Sequence, residues 1–517
     1  MDMTKEFVKE RVISSVICES TLEYSLPDYN TDVKKILLTG AKAVPSGCYQ
    51  NGDSVELVGS VYYDMVYLDG ENEITHLDFT SDYSIALKIN GEEYRDSDAV
   101  SRVANYSIRL AGPRKIIAKA TVSCEAHVTE SDRIEIVGDA FSVGEPETVS
   151  KTVKLRTASY VRGGEREYAE SIFRLDGAVA DETDLLFSSV EPENMTATQA
   201  ADGISIKGFM LVSALVKSQG SEPILMKKRI AYSETIEDSG AVCNDNTDVR
   251  VAVTSQKVTL NADEDGIEAV ASYIVEPSLR IAENTAVDAI EDCYLKDRGC
   301  DNEYRVIPYT ELVGSHRQED RFSGQIAREA AGCGTVRNLI CPIVQVRNEA
   351  VRAVDGDVKA ECELRFLAIG CEVNESGDIT YSSVKLDMPY SQRVDADFEG
   401  CSDGLRYECY AEATDAVITV DGDNLYPECN VRFYISAVRD RNEKILAAAS
   451  ATEDKYEKTP ARVTVYFPEE SDTLFSVSKK FHASLLAVAS DNALSEDCLS
   501  TPSAKTSLYG VKKLIIK

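Results

Sequence analysis

The feature that most limits how this chain folds is a pattern that comes round three times. Val55 opens a strand-like run containing Gly59, and Tyr83-Ser84 closes a later one; Ile204 and Gly208 lead to Tyr232-Ser233; Val358 and Cys362 lead to Tyr390-Ser391. Gly59 to Tyr83 and Gly208 to Tyr232 each span 24 positions, while Cys362 to Tyr390 spans 28, the excess falling at the turn Asn374–Asp378. The Tyr-Ser pairs lie 149 and then 158 residues apart. Each block also has a similar lead-in: Glu10–Ile17, Lys154–Val161 and Arg305–Leu312. Such recurrence predicts tandem units of one strand order rather than a single large irregular sheet.

The texture inside the blocks is β. Val55–Tyr67, Ile116–Val122 and Val431–Ile435 mix β-branched and aromatic residues with partial period-two alternation, the pattern of half-buried strands. Turn signals separate them at Asp69-Gly70, Asn90-Gly91, Asp202-Gly203, Asp265-Gly266 and Asp421-Gly422. The expected fold is mainly β: three tandem antiparallel β-sandwich-like modules over 1–152, 153–302 and 303–454, then a small domain with its linker over 455–517. In that last stretch Val463–Phe467 reads as a short strand. Asp472 or Thr473 can cap a helix that lines up Leu474, Val477 and Phe481, and Ser484 can cap a second carrying Leu485, Leu486 and Ala489, with Asn492 near its stop. Leu514–Ile516 closes a β-α-α-β order.

Charge narrows the partners. Against 55 Lys+Arg stand 88 Asp+Glu, a net charge of −33, which opposes nucleic acid and anionic lipid alike. The first residues are charged and carry no apolar core of a secretory signal, so a cytoplasmic location is expected. No run approaches 18 uninterrupted apolar residues, so no transmembrane segment is expected. In that compartment the 14 cysteines are expected as reduced thiols.

Motifs for chemistry are sparse. The four histidines, His76, His127, His316 and His482, belong to no His-Glu-x-x-His pattern, and no P-loop occurs. Ser476–Lys479 matches Ser-x-x-Lys but lies on the proposed first helix without companion motifs, and reads as solvent-facing. Asn261–Gly266 imitates the start of a calcium loop, yet Ser272 stands where the bidentate Glu belongs, so a hairpin turn explains it better. The spacings Cys333–Cys341, Cys362–Cys371 and Cys401–Cys409 are all wider than Cys-x-x-Cys, and most cysteines read as small apolar strand residues. The expectation is a protein that is not an enzyme, with no catalytic residue, no metal site and no cofactor.

Two resemblances add to this reading. Val465–Phe481, with its Asp472-Thr473-Leu474 turn, Leu485, Asn492 and the Gly510/Leu514 closure, resembles a LysM domain. Ser471 stands where that family usually has Gly, and Ser495–Ser507 is longer than usual; both touch the loops that line the glycan groove in carbohydrate-binding members. Leu26–Leu37, followed by Val58-Gly59, Val66-Tyr67 and Tyr83-Ser84, resembles the SPOCS domain of sporulating firmicutes, with Thr31 replacing a frequent proline. That resemblance is clear in the first module and degenerate in the other two.

Together these resemblances imply a non-enzymatic adaptor of spore-coat morphogenesis in the mother-cell cytoplasm, at the forespore surface or spore coat. Its LysM tail would dock a spore-coat morphogenetic protein, the ATPase of the forespore surface. The alternative they imply is a wall protein binding peptidoglycan or chitin. In either case the tail carries the candidate binding residues Asp472, Thr473, Phe475, Lys479, Lys480 and Asn492. Lys479 and Lys480, with Lys505, Lys512, Lys513 and Lys517, form a basic cluster suited to an acidic partner. Phe475 is expected to be exposed as an apolar anchor.

Overall fold

The computed structural model describes the chain except residues 1–2, 52–53, 89–92, 137–145, 177–181, 220, 238–239, 263–265, 355–356, 374–378, 397, 399–403, 457–462, 495–507 and 509. The turn Asn90-Gly91, most of the calcium-like turn before Gly266, the turn at Asn374–Asp378, and Ser495–Ser507 therefore lie outside the described residues. The fold is mainly β, built of antiparallel sheets. Both α-helices among the described residues come after residue 473.

One strand order occurs three times. In the first unit β1 (Met3–Ser25) is followed by a meander of β2 (Val33–Asn51), β3 (Ser54–Asp69) and β4 (Ile74–Lys88). Then β5 (Glu93–Gly112) and β6 (Lys115–Ile136) return, so that the second sheet has the order β1-β6-β5. The second unit gives the meander β9 (Thr183–Ala200), β10 (Gly203–Ser218) and β11 (Ile224–Ile236). Its other sheet joins β7 (Glu147–Arg162), β13 (Gly266–Tyr294) and β12 (Thr247–Ala262). The third gives the meander β16 (Asn338–Val354), β17 (Asp357–Val373) and β18 (Ile379–Arg393). Here β14 (Arg298–Ser323), β20 (Asn424–Lys455) and β19 (Leu405–Asp421) form the second sheet.

In all three, the last strand lies at the centre of its sheet, between the first and the next-to-last. Two short strands continue the first strand past a break: β8 (Arg166–Asp176) after Gly163-Gly164 and β15 (Ile326–Ala327) after Gly324. Positions 152 and 302 fall inside β7 and β14, and the sheets change between Ile136 and Glu147 and between Tyr294 and Arg298.

The spacing read from the sequence has a register behind it. Gly59 lies directly opposite Tyr83, Gly208 opposite Tyr232, and Cys362 opposite Tyr390. A Cβ on Gly59 would stand 2.4 Å from the Tyr83 hydroxyl and 2.5 Å from the Val44 carbonyl, so the glycine is required by close approach. The strands themselves are longer than the short runs visible in the sequence, β20 reaching 32 residues. Bulges such as those at Leu312/Gly314 and Thr414/Val417 shift the alternation midway, which hides the continuity of a strand from a period-two reading.

Each unit encloses a core between its two sheets. Val55, Leu57 and Tyr63 of β3 meet Ile116, Ala118 and Val122 of β6, and the other two units repeat the arrangement around Ile204 and Phe366. The central meander strands alternate at first and then become buried on both faces, over Met65–Leu68, Met210–Val216 and Ala368–Cys371. These doubly buried ends converge. Leu38, Val66, Leu68 and Ile74 pack with Leu186, Phe187 and Leu215 and with Ile340, Ile369 and Tyr381 in one apolar cluster.

The outer sheets are tied by charge. Glu10 of β1 has a side chain without exposure and receives Arg280 of β13 on both oxygens, at 2.6 and 2.7 Å. Arg156 Nε lies 2.7 Å from the second oxygen, and the Tyr160 hydroxyl donates to the first at 3.0 Å. Arg156 also donates to Glu408 of the third unit at 2.8 Å, so one guanidinium bridges all three units. Burial alone pushes the Glu10 carboxyl up, but the Arg280 charge, the hydrogen bonds of His127 and Arg280, and Arg156 together hold it well below the usual carboxylate range. A depressed carboxyl stabilises the fold above the unfolded-state pKa, and that contribution fades as pH falls through the folded one. Glu10→Gln, which strips the buried Arg280 of its carboxylate partner and leaves Arg156 with Glu408 alone, is therefore expected to cost about 3–5 kcal/mol at pH 7. Urea unfolding of both proteins should show the gap narrowing at pH values below ~4.

Candidate docking surface of the C-terminal unit

The last unit consists of β21 (Thr464–Tyr466), α1 (Leu474–Lys480), α2 (Leu485–Asp491) and β22 (Leu514–Ile516), with the two strands paired antiparallel. Its core holds Leu474, Val477, Leu485, Val488, Leu514 and Ile516. Phe481 is only partly buried and stands edge-on to Tyr466 at 5.3 Å.

Three of the candidate binding residues hold this unit together. Thr473 is the helix cap: its hydroxyl accepts from Ser476 N at 3.1 Å while the Ser476 hydroxyl accepts from Thr473 N at 2.9 Å. Asp472 accepts from the Tyr466 hydroxyl and from Glu469 N, each at 2.8 Å. Asn492 donates to Ile515 O at 2.8 Å and accepts from Ile515 N at 2.6 Å, clasping β22. Ser484 occupies the cap position of α2 without a side-chain bond, and Leu486 is 63% exposed rather than packed with Leu485.

Phe475 corrects an expectation. It is buried, not exposed, because α1 lies against the ends of β7 and β13, where Phe475 meets Tyr294 edge-on at 5.4 Å and Val149 joins the cluster. The Tyr294 hydroxyl donates to Ala483 O at 2.7 Å, and Lys479 Nζ lies 2.5 Å from Asp292 Oδ2. Ser478 is fully buried on the same side, so the Ser476–Lys479 stretch is only partly solvent-facing. Lys480 stays exposed, 4.7 Å above the Tyr466 ring. The two lysines thus have different roles: one seats the unit and the other faces solvent.

Another face of the unit is exposed among the described residues. Strand alternation sends Tyr466, Leu514 and Ile516 inward and Val465 and Ile515, which are cross-strand partners, outward. Val463, Val465 and Phe467 are 59%, 51% and 69% exposed, and Lys512 and Lys513 lie exposed beside them. Sequence reading missed this face because a three-residue strand carries too little alternation to show which side is in. Residues 456–517 carry eight Lys+Arg and seven Asp+Glu, so the acidic excess lies in the rest of the chain.

A second feature was invisible in the sequence. A polar cavity of about 450 Å³ opens where the three units meet, lined by Glu125, His127, Asp248, Arg250, Arg317 and Glu408 among others. His127 is 2.8 Å from Glu125, whose carboxyl burial alone would raise; the His127 hydrogen bond and charge bring it down to about 2. Among the described residues no group of three or more His, Cys, Asp or Glu is placed to hold a metal ion, and no helix is long and apolar enough to cross a membrane. None of the 12 described cysteines is in a disulfide. Neither a protein-family model nor a curated protein matches the chain.

The seat of the unit makes a prediction. Lys479→Glu places two carboxylates together where an ion pair stood, at a half-exposed position worth about 1 kcal/mol or less to folding. The unit is expected to stay folded while hydrogen exchange in α1 and at the end of β13 accelerates. Phe475→Ala removes a buried ring, expected to cost about 3–5 kcal/mol, and should loosen the unit itself.

Proposed function

We propose that this chain is a non-enzymatic adaptor of spore-coat assembly, three tandem β-sandwich modules followed by a LysM-like unit that docks a coat morphogenetic protein. The order of its segments resembles that of the clostridial spore-coat morphogenesis protein SipL, and by that resemblance its proposed work lies in the mother cell at the forespore surface. The observation that carries the reading is the outward face of β21 and β22. Exposed Val463, Val465 and Phe467 beside Lys512 and Lys513 suit a partner segment that is both apolar and acidic. The partner by resemblance is the morphogenetic ATPase of the forespore surface. The contacts that seat the unit on β13 come from Phe475, Lys479 and Ala483 rather than from this face, and the acidic modules serve as a spacer.

Capture of the purified ATPase by the full chain tests the proposal. Phe467→Ser with Val465→Ser is expected to reduce capture about tenfold or more, as loss of a central apolar anchor does. Lys512→Glu with Lys513→Glu should slow association chiefly at low salt. All four positions are exposed, so the melting temperature should hardly move. Retention of the chain on purified peptidoglycan, lost when 455–517 are removed, would instead support a wall-binding protein.

A further inference from the structure

Two sulfurs lie together beneath the seat of the C-terminal unit. Cys293 Sγ, near the end of β13, is 3.8 Å from Cys300 Sγ, near the start of β14. Asn302 holds both: its Oδ1 accepts from Cys300 at 3.1 Å and from Cys293 at 3.4 Å, while its Nδ2 donates to Cys293 O and Asp292 Oδ1. Bond formation requires the sulfurs to close by roughly 1.8 Å, to about 2.05 Å. The residues they bracket are those that seat the tail. Tyr294 bonds Ala483, Asp297 O accepts from Tyr456 N at 2.9 Å, and Asp292 beside Cys293 pairs with Lys479. Cys293 is fully buried and Cys300 is half-buried.

We propose that Cys293 and Cys300 are a thiol–disulfide site, oxidised by a small-molecule disulfide, whose bridge closes the loop that seats the C-terminal unit. Cys300, the more accessible sulfur, attacks as thiolate and forms a mixed disulfide, releasing one small thiolate that takes up the proton lost from Cys300. Cys293 then attacks the Cys300 sulfur and expels the second small thiol, its own proton going to that leaving group. Two protein thiols are oxidised and one small disulfide is reduced to two thiols. The site rests on different atoms from the partner-docking face, so either assignment stands without the other.

Burial makes the exchange slow. It pushes the Cys293 thiol up to about 12 and the Cys300 thiol up as well, the nearby Lys479 charge opposing this in part. A raised thiol pKa means little thiolate at neutral pH, so the rate should rise about tenfold per pH unit in that range. The product is easily read. Trypsin cuts after Lys296 and Arg298, between the two cysteines, so peptides 281–296 and 299–305 stay together only when bridged.

The experiment treats the full reduced chain with oxidised glutathione, blocks the remaining thiols and maps tryptic peptides by mass. The expected result is the 281–296/299–305 pair, lighter by two hydrogens, formed ahead of other bridges. In Cys293→Ser, glutathione should remain attached to Cys300. In the bridged wild type, hydrogen exchange over 294–298 should slow about tenfold, whereas Cys300→Ser treated alike should show no change. Full alkylation of both cysteines after treatment, or a glutathione adduct that persists on wild-type Cys300, would overturn the site. A bridge that leaves exchange over 294–298 unchanged would overturn its role in stiffening the seat.

Discussion

The side chain of Glu10 is the point on which the assembly of the three units turns. It is removed from water, as are the two guanidiniums that face it, and each of those comes from the second unit. Burying three charges is unfavourable unless opposite charges and hydrogen bonds offset the loss of water. Both oxygens of Glu10 are occupied, and Arg156 passes its remaining charge on to Glu408 of the third unit. A different relative placement of the units would leave uncompensated charge in a low-dielectric junction. Apolar packing cannot enforce that, because methyl groups tolerate sliding where a bidentate ion pair does not.

The apolar cluster and the ionic junction divide the work between affinity and geometry. Where the meanders converge, strands are buried on both faces, so Val66, Leu215 and Ile369 lose water on the side that an isolated sandwich would expose. That burial supplies attraction without direction. Charge pairs between units supply direction: Arg102 with Glu349, Lys217 with Glu73, and Lys227 with Asp415 each join two different units. Contacts therefore close around all three pairs of units, and the polar cavity lies where they meet.

The C-terminal unit is attached by a small contact with mixed character. Among the described residues, a ring pair, a buried serine, an ion pair and a hydroxyl-to-carbonyl bond hold it to β13. Using α1 for that contact determines which surface is left for anything else. The nearly neutral charge of this unit, on a chain of −33, also makes it the least repelled approach for an acidic partner.

The mainly-β class and the β-α-α-β order of the tail were legible in the sequence, because alternation, turn dipeptides and helix caps are local signals. So was the recurrence of Gly59, Gly208 and Cys362 with their tyrosines, since a fixed register imposes a fixed spacing. The length of the strands was not, because bulges reset the alternation that a reader follows. Phe475 shows the limit most clearly: its position on the helix could be read, but whether that face met water or Tyr294 depended on a strand end about 180 residues away. Glu10, Arg156, Arg280 and Glu408 likewise look like ordinary charges on alternating strands, and nothing local marks them as buried. Periodicity assigns a residue to a face; only the packing of one unit against another decides what that face touches, since long-range burial has no signature in neighbouring residues.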